Sequence, residues 1–129
     1  MPFVQISLVA GKSDTDKTAI ADVIHAALVS SFKIPDTDRK IRFNEYHESN
    51  FERPPGKKSH YVLIEITQFP GRRKDAKRNL YQAIVQGLSR LQIEPTDVFI
   101  ILQEPPRDNW GIRGSIPADE VDLGFSTKV

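Results

Sequence analysis

The sequence predicts an α/β domain: a two-layer sandwich of two β-α-β units, with a four-stranded sheet, two helices on one face and a C-terminal hairpin. Three observations predict it. Short alternating apolar runs are each followed by a longer apolar stripe at helical spacing. That whole pattern recurs about sixty residues later. The chain has 129 residues, 39% hydrophobic and 27% charged, which is the size of one ordinary domain with a core of its own.

The elements follow in order. Val4, Ile6 and Leu8 alternate with Gln5 and Ser7, the period of a half-buried strand. A turn at Gly11-Lys12-Ser13 leads into a helix, about Asp14–Phe32, whose stripe is Ile20, Val23, Ile24, Ala27, Leu28 and Phe32. Ser13 or Asp14 can cap it, and Pro35 lies just beyond its end. A second strand, about Arg39–Tyr46, carries Ile41 and Phe43 on one face. A polar loop, His47–His60, includes Pro54-Pro55-Gly56-Lys57-Lys58. Then Val62, Ile64 and Ile66 repeat the first strand, and Gly71-Arg72 stands where Gly11-Lys12 stood. A second helix, about Lys74–Leu91, carries Leu80, Ile84, Leu88 and Leu91 on its stripe. Ile93, Thr96-Asp97 and Ile100 echo Ile34, Thr37-Asp38 and Ile41.

The repeats span about 2–46 and 61–104 within a single domain, 1–129. The tail, 110–129, with Gly111, Gly114, Pro117 and Gly124, reads as turns and a short hairpin. Each unit is expected to be a right-handed crossover with parallel strands. Pairing the two first strands antiparallel gives the order 2-1-3-4. The open sheet face would show Gln5, Ser7, Arg42, Asn44, Glu65 and Thr67, too polar for a second apolar layer. It is either a solvated face or the lining of a wet channel in a ring of subunits.

Composition narrows the chemistry. Lys plus Arg is 18 and Asp plus Glu is 17, a net +1 without the basic excess of a phosphate-backbone binder. No apolar run reaches the length of a membrane span. Cysteine is absent, which excludes disulfides, thiolate metal sites and Cys nucleophiles. It is permissive for the cytoplasm, the expected location. Met1 is the single methionine and precedes Pro2, a small residue that should allow its removal. If the first and third strands pair antiparallel, Pro2 lies beside the Gly71-Arg72-Arg73 turn. An N-terminal proline is a secondary amine. Burial and a nearby arginine disfavour its charged form and poise it for general acid/base work. Arg72 or Arg73 supplies a planar fork for a carboxylate. The combination suits moving a proton on a small oxo or hydroxy acid.

Taken together, Pro2 opening the first strand, the two β-α-β units and Gly71-Arg72 after the third strand resemble the tautomerase superfamily. The nearest likeness is to the malonate semialdehyde decarboxylase group. His25…Ile34-Pro35…Asp38-Arg39, Gly71-Arg72…Lys77…Leu80-Tyr81 and Asp108-Asn109-Trp110-Gly111 are similar to that group's pattern. The resemblance implies Pro2 as catalytic acid/base, Arg72 as carboxylate binder and Asp38 as the aspartate beside the proline. It implies Trp110 as an aromatic pocket wall. Arg73, the adjacent fork, is kept from the residues as a further substrate contact, though it would point differently as the helix starts. The resemblance also implies a homotrimer, a small carboxylate substrate, and no cofactor, metal, nucleic acid or membrane partner. The activity it implies is cofactor-independent tautomerisation, with decarboxylation or hydration of 3-oxo or unsaturated acids as the alternative. A non-enzymatic trimeric binding protein on the same scaffold is the third reading. The decarboxylase pattern has two arginines flanking a proline; here Arg72 fills the second place and Pro70 the first.

Other residues have structural readings beside functional ones. His25 borders the apolar stripe and reads as a half-buried structural histidine. His47 and His60, near Glu45, Glu48 and Glu52, fit no ligand spacing and read as a solvated loop. Lys57-Lys58 and Arg72-Arg73-Lys74 lack interleaved aromatics and read as solvated charge. Asp38 either serves the site or ends a turn, as its twin Asp97 would. Trp110 is either a pocket wall or an anchor between subunits.

Overall fold

The computed structural model describes residues 2–56 and 60–129; Met1 and Lys57-Lys58, named above, lie outside them. Strand β1 (Phe3–Val9), helix α1 (Asp14–Phe32) and strand β2 (Ile41–Tyr46) form the first unit. Strand β3 (Val62–Thr67), helix α2 (Lys74–Ser89) and strand β4 (Val98–Gln103) form the second. The sheet order is β2-β1-β3-β4, parallel within each unit and antiparallel between β1 and β3. In that central pairing Ile6 faces Ile64, so the local twofold relating the units passes between them. Strands β5 (Gly111–Ile112) and β6 (Ile116–Pro117) make the C-terminal hairpin.

The core lies between sheet and helices. Val4, Ile6, Leu8, Val62, Ile64 and Ile66 supply the sheet side. Ile20, Ile24, Leu28 and Phe32 supply α1; Leu80, Ile84 and Leu88 supply α2. Each such side chain contributes roughly 1.5–3 kcal/mol when fully buried. The helices meet closely at Gly87, where a Cβ would run into Val23. Ser13 is the α1 cap: its Oγ accepts from the Asp16 N–H at 3.1 Å.

Helix α2 ends at Ser89, two residues short of the expected Leu91. The Leu91 and Gln92 N–H groups turn back to Leu88 and Ser89 carbonyls in tight turns, and Gln92 adopts φ 67°. Strand β2 begins at Ile41 rather than Arg39. The 47–60 loop is more organised than its composition suggests. It contains a 3-10 turn, Glu48–Asn50, and Phe51 stacks edge-on against both Tyr46 and Tyr61. Arg53 is anchored on Glu48 at 3.2 Å and on the Phe51 carbonyl.

The open face bears the expected polar groups, with Arg42 and Asn44 both donating to the Gln5 carboxamide oxygen. Its polarity is not uniform. On β4 the residues facing away from the helices are Phe99 and Ile101, 53% and 36% exposed, and Leu63 lies beside Phe99 in the ladder. The unbroken run Phe99-Ile100-Ile101-Leu102 hides this alternation in sequence. The expectation of an open face too polar for a second apolar layer is therefore corrected on its β4 side.

Candidate active site

The topology collects the start of β1, the start of β2, the ends of β3 and β4, the end of α1 and the start of α2 at one end of the sheet. Pro2, directly before β1, is buried. Strand alternation puts it on the same face as Val4, the helix side. The Val4 N–H donates to the Lys40 carbonyl at 2.9 Å, which lays the chain after Asp38 alongside. Phe3 pairs with Thr67, so the segment following β3 arrives at the same place.

That segment turns at Gly71 and delivers Arg72 into the protein. Arg72 is 8% exposed, and its guanidinium carbon lies 5.0 Å from the centre of the Phe32 ring. Among the described residues its Nε and Nη1 atoms are buried without a hydrogen-bond acceptor. Burial pushes the Arg72 pKa down; the negative charge of Glu104 partly offsets this. Glu104 is itself held elsewhere. Its Oε1 accepts from Lys77 Nζ at 2.6 Å, and its Oε2 accepts a longer bond of 3.5 Å from Gln68. A buried guanidinium with unpartnered nitrogens is costly to maintain, and its planar fork has the geometry to receive a planar anion.

The turn itself is fixed from behind. Gly71 has φ 123°, and a Cβ there would lie 2.9 Å from the Thr127 carbonyl oxygen. The Arg73 N–H donates to the Val129 carbonyl oxygen at 3.2 Å. The C-terminal segment thus straps the turn. Arg73 does not follow Arg72 inward. It opens α2 on the surface and lines a cavity of about 470 Å³ with Ser30, Lys33, Asn79 and Val129. Arg73, expected as a further substrate contact, thus lines a cavity whose walls do not include Arg72, as consecutive residues at a helix entry point in different directions.

Asp38 is half-buried in the turn before β2, its N–H bonded to the Pro35 carbonyl at 3.0 Å. His25 pins that turn: Nε2 donates to the Asp36 carbonyl at 2.7 Å, and the imidazole is 5% exposed. Trp110 is half-buried, edge-on to Phe69 at 4.7 Å, with its indole N–H on the Pro105 carbonyl. The Arg107 guanidinium lies 5.7 Å from the Phe69 ring and donates to the Ala118 and Val121 carbonyls, tying the tail to this wall.

Residues 38–113 match a family model described as "Tautomerase enzyme", and residues 2–55 match a second model with the same description. The chain belongs to the tautomerase family. This tautomerase-family chain is 28% identical over 116 residues to the probable tautomerase YusQ of Bacillus subtilis, an alignment covering 85% of it and 91% of YusQ. Among solved structures, FG41 malonate semialdehyde decarboxylase inhibited by 3-bromopropiolate is 28% identical, with TM-score 0.79, covering 88% of this chain and 91% of that one. A second malonate semialdehyde decarboxylase, described with decarboxylase and hydratase activities, is 25% identical with TM-score 0.80, covering 87% and 92%. Native fused 4-OT shares the fold at TM-score 0.83 and 21% identity, covering 95% and 99%. The chain is an enzyme of the tautomerase superfamily, near the malonate semialdehyde decarboxylase group.

Sequence reasoning missed two parts of this tautomerase-family site: the Glu104–Lys77 pair beside Arg72, and Arg107 behind the aromatic wall. The first had a signal. In the first repeat Lys17 lies at the place of Lys77 and Glu45 at that of Glu104, and Lys17 Nζ meets Glu45 Oε1 at 2.8 Å. Polar groups about the 47–60 loop have local partners. Glu45 is taken by Lys17, Glu48 by Arg53, and His47 Nδ1 accepts from the Ser49 N–H at 3.2 Å.

Proposed function

We propose that this enzyme moves a proton on small oxo or enol carboxylic acids. The Pro2 amine, exposed by removal of Met1, is the general acid/base, and Arg72 holds the carboxylate and stabilises the enolate. The observation that carries this reading is the buried Arg72 guanidinium with two nitrogens unpartnered among the described residues, at the sheet end where Pro2 precedes β1. Two such groups in a low-dielectric site stabilise a developing enolate without reorganising, because their desolvation has already been met in folding. Asp38 tunes the amine or orients a water, and Trp110 with Phe69 forms the apolar wall. No cofactor enters these steps.

The likeness to two malonate semialdehyde decarboxylases favours a second reading, decarboxylation or hydration of a 3-oxo or unsaturated acid with Pro2 protonated as a general acid. Titrating the amine by nitrogen NMR separates the two. A pKa well below about 7 supports a base and one well above it supports an acid. The primary test is ketonisation of phenylenolpyruvate by wild type and Pro2→Ala, with the mass of the purified chain. A retained Met1, a wild-type rate equal to buffer, or an equally fast Pro2→Ala removes the proline mechanism.

The working form in this proposal is a homotrimer, with the open sheet faces turned inward. Phe99 and Ile101 are its apolar support, since exposed residues of this kind on a sheet face need a cover. Phe99→Glu should convert the trimer to monomer in sedimentation; an unchanged trimer places the interface elsewhere.

A further inference from the structure

The local twofold does more than duplicate the fold. It also duplicates the positions of the site at the opposite end of the sheet. With Val4, Ile6 and Leu8 superposing on Val62, Ile64 and Ile66, the place of Pro2 before β1 is taken by His60 before β3. Gly11, at φ 129°, matches Gly71 at φ 123°, so Lys12 takes the place of Arg72. The match extends to the neighbours. The Asp38 N–H bonds to Pro35 at 3.0 Å, and the Asp97 N–H bonds to Glu94 at 2.9 Å, in the turns before β2 and β4. Lys17–Glu45 at 2.8 Å matches Lys77–Glu104 at 2.6 Å.

These second-copy residues converge. Lys12 Nζ lies 3.5 Å from His60 Nδ1, although 48 residues separate them in sequence. They border a cavity of about 340 Å³ whose other walls are Asp16, Ala19, Ile20, Leu91, Gln92 and Ile93. The Lys12 ammonium can only donate, so in this contact His60 Nδ1 accepts and the ring carries its proton on Nε2; the ammonium and that N–H are two donors for an anionic oxygen. The aliphatic walls call for a short hydrocarbon. Asp16 on the rim opposes a second negative charge.

We infer that this cavity is a second binding site, distinct from the Pro2–Arg72 site, for a small monocarboxylate with a short aliphatic chain. The carboxylate bridges Lys12 and His60, and the chain lies against Ile20, Leu91 and Ile93. Lys12 stands where Arg72 stands in the other half, yet it is a point charge rather than a fork, so it holds one oxygen without fixing a plane. His60 carries a ring nitrogen where Pro2 carries the chain nitrogen. The inference rests on the repeat and the cavity, and does not depend on the proton-transfer reading of the first site.

The test is a proton NMR titration of the histidine ring signals with butyrate, in Pro2→Ala protein so that turnover plays no part. His60→Gln assigns the His60 signal among the three histidines. The expected result is a saturable shift of the His60 signal, with affinity in the millimolar range typical of so few atoms. It should weaken about ten-fold in Lys12→Met, the loss of one ionic contact. Succinate, at equal concentration, should shift it less. Both variants lie at the surface loops and should leave the unfolding midpoint unchanged. Absence of a saturable His60 shift, an equal shift with sodium chloride, or an undiminished shift in Lys12→Met would overturn the inference. A butyrate response at Arg72 but not at His60 would overturn it too, while leaving the first site standing.

Discussion

Arg72→Met should make the folded protein more stable while destroying its activity. The guanidinium is buried, and two of its nitrogens find no acceptor among the described residues. A buried donor without a partner costs about 1–3 kcal/mol. Methionine keeps a long, unbranched side chain over the Phe32 ring and removes both donors and the charge. What is lost is the guanidinium–ring contact at 5.0 Å, worth about 0.5–2 kcal/mol, and a remote attraction to Glu104. Glu104 keeps its Lys77 partner at 2.6 Å, so no new unpaired charge appears. The donors outweigh the ring contact, and the net gain is on the order of 1–2 kcal/mol. In the same variant kcat/KM for an enol carboxylate should fall roughly a hundred- to thousand-fold, because two charge-assisted hydrogen bonds to the substrate disappear. Urea unfolding at fixed protomer concentration measures the first effect, since association would otherwise shift the midpoint. Initial rates of phenylenolpyruvate ketonisation measure the second. If Arg72→Met is less stable than wild type by about 1 kcal/mol or more, the guanidinium is part of the scaffold and the reasoning from its open donors fails.

Three other perturbations have defined outcomes. Gly87→Ala forces a Cβ into Val23, and should lower the unfolding free energy by about 1–3 kcal/mol; Val23→Ala should restore part of it in the double variant, as measured by urea denaturation. His25→Ala removes the 2.7 Å bond to the Asp36 carbonyl and a buried ring, and should cost about 1–3 kcal/mol. Its fall in kcat/KM should shrink when combined with Asp38→Asn, because both changes act on the same turn. Gly71→Ala meets the Thr127 carbonyl at a φ that favours glycine, and should cost about 1–3 kcal/mol. It should also release the tail, seen as faster proteolytic removal of residues after Phe125; an unchanged cleavage rate would show that the strap is not held at this turn.

The legible part of this protein was the part written in periodicity. The alternation Val4-Ile6-Leu8, its copy at Val62-Ile64-Ile66 and the two helical stripes suffice to give the sheet order, because each apolar set has one face on which it can be buried. The same pattern pairs β1 and β3 antiparallel, which brings the start of one strand beside the end of the other. That Arg73 points away from Arg72 follows from the start of the helix, but where each side chain goes was not legible. Arg72 and Arg73 are adjacent and chemically identical, yet one lies beneath Phe32 and the other opens on a separate cavity. The difference is set by the Gly71 turn and by a tail more than fifty residues away in sequence, whose Thr127 carbonyl fixes that turn. Local pattern carries no trace of such a contact.

Between these extremes lies the repeat of side-chain pairs, which was visible in sequence but had to be read at a finer level than fold. Lys17 and Glu45 recur as Lys77 and Glu104, and both pairs close to within hydrogen-bond distance across the same two elements of their unit. The pair is therefore part of the β-α-β unit itself, joining the first turn of the helix to the end of the second strand. It predates any role beside Arg72 in the logic of the fold. What distinguishes the two ends is what the unit is given to work with. One end has a buried proline at position 2 and a buried arginine, and the other a mid-chain histidine and a half-exposed lysine. The proposed proton transfer belongs to the first end alone, because His60 lies mid-chain and has a lysine rather than a planar fork beside it. On the proposed reading, the same scaffold carries proton transfer at the end where nitrogen and fork are both buried, and plain anion binding at the end where they are not.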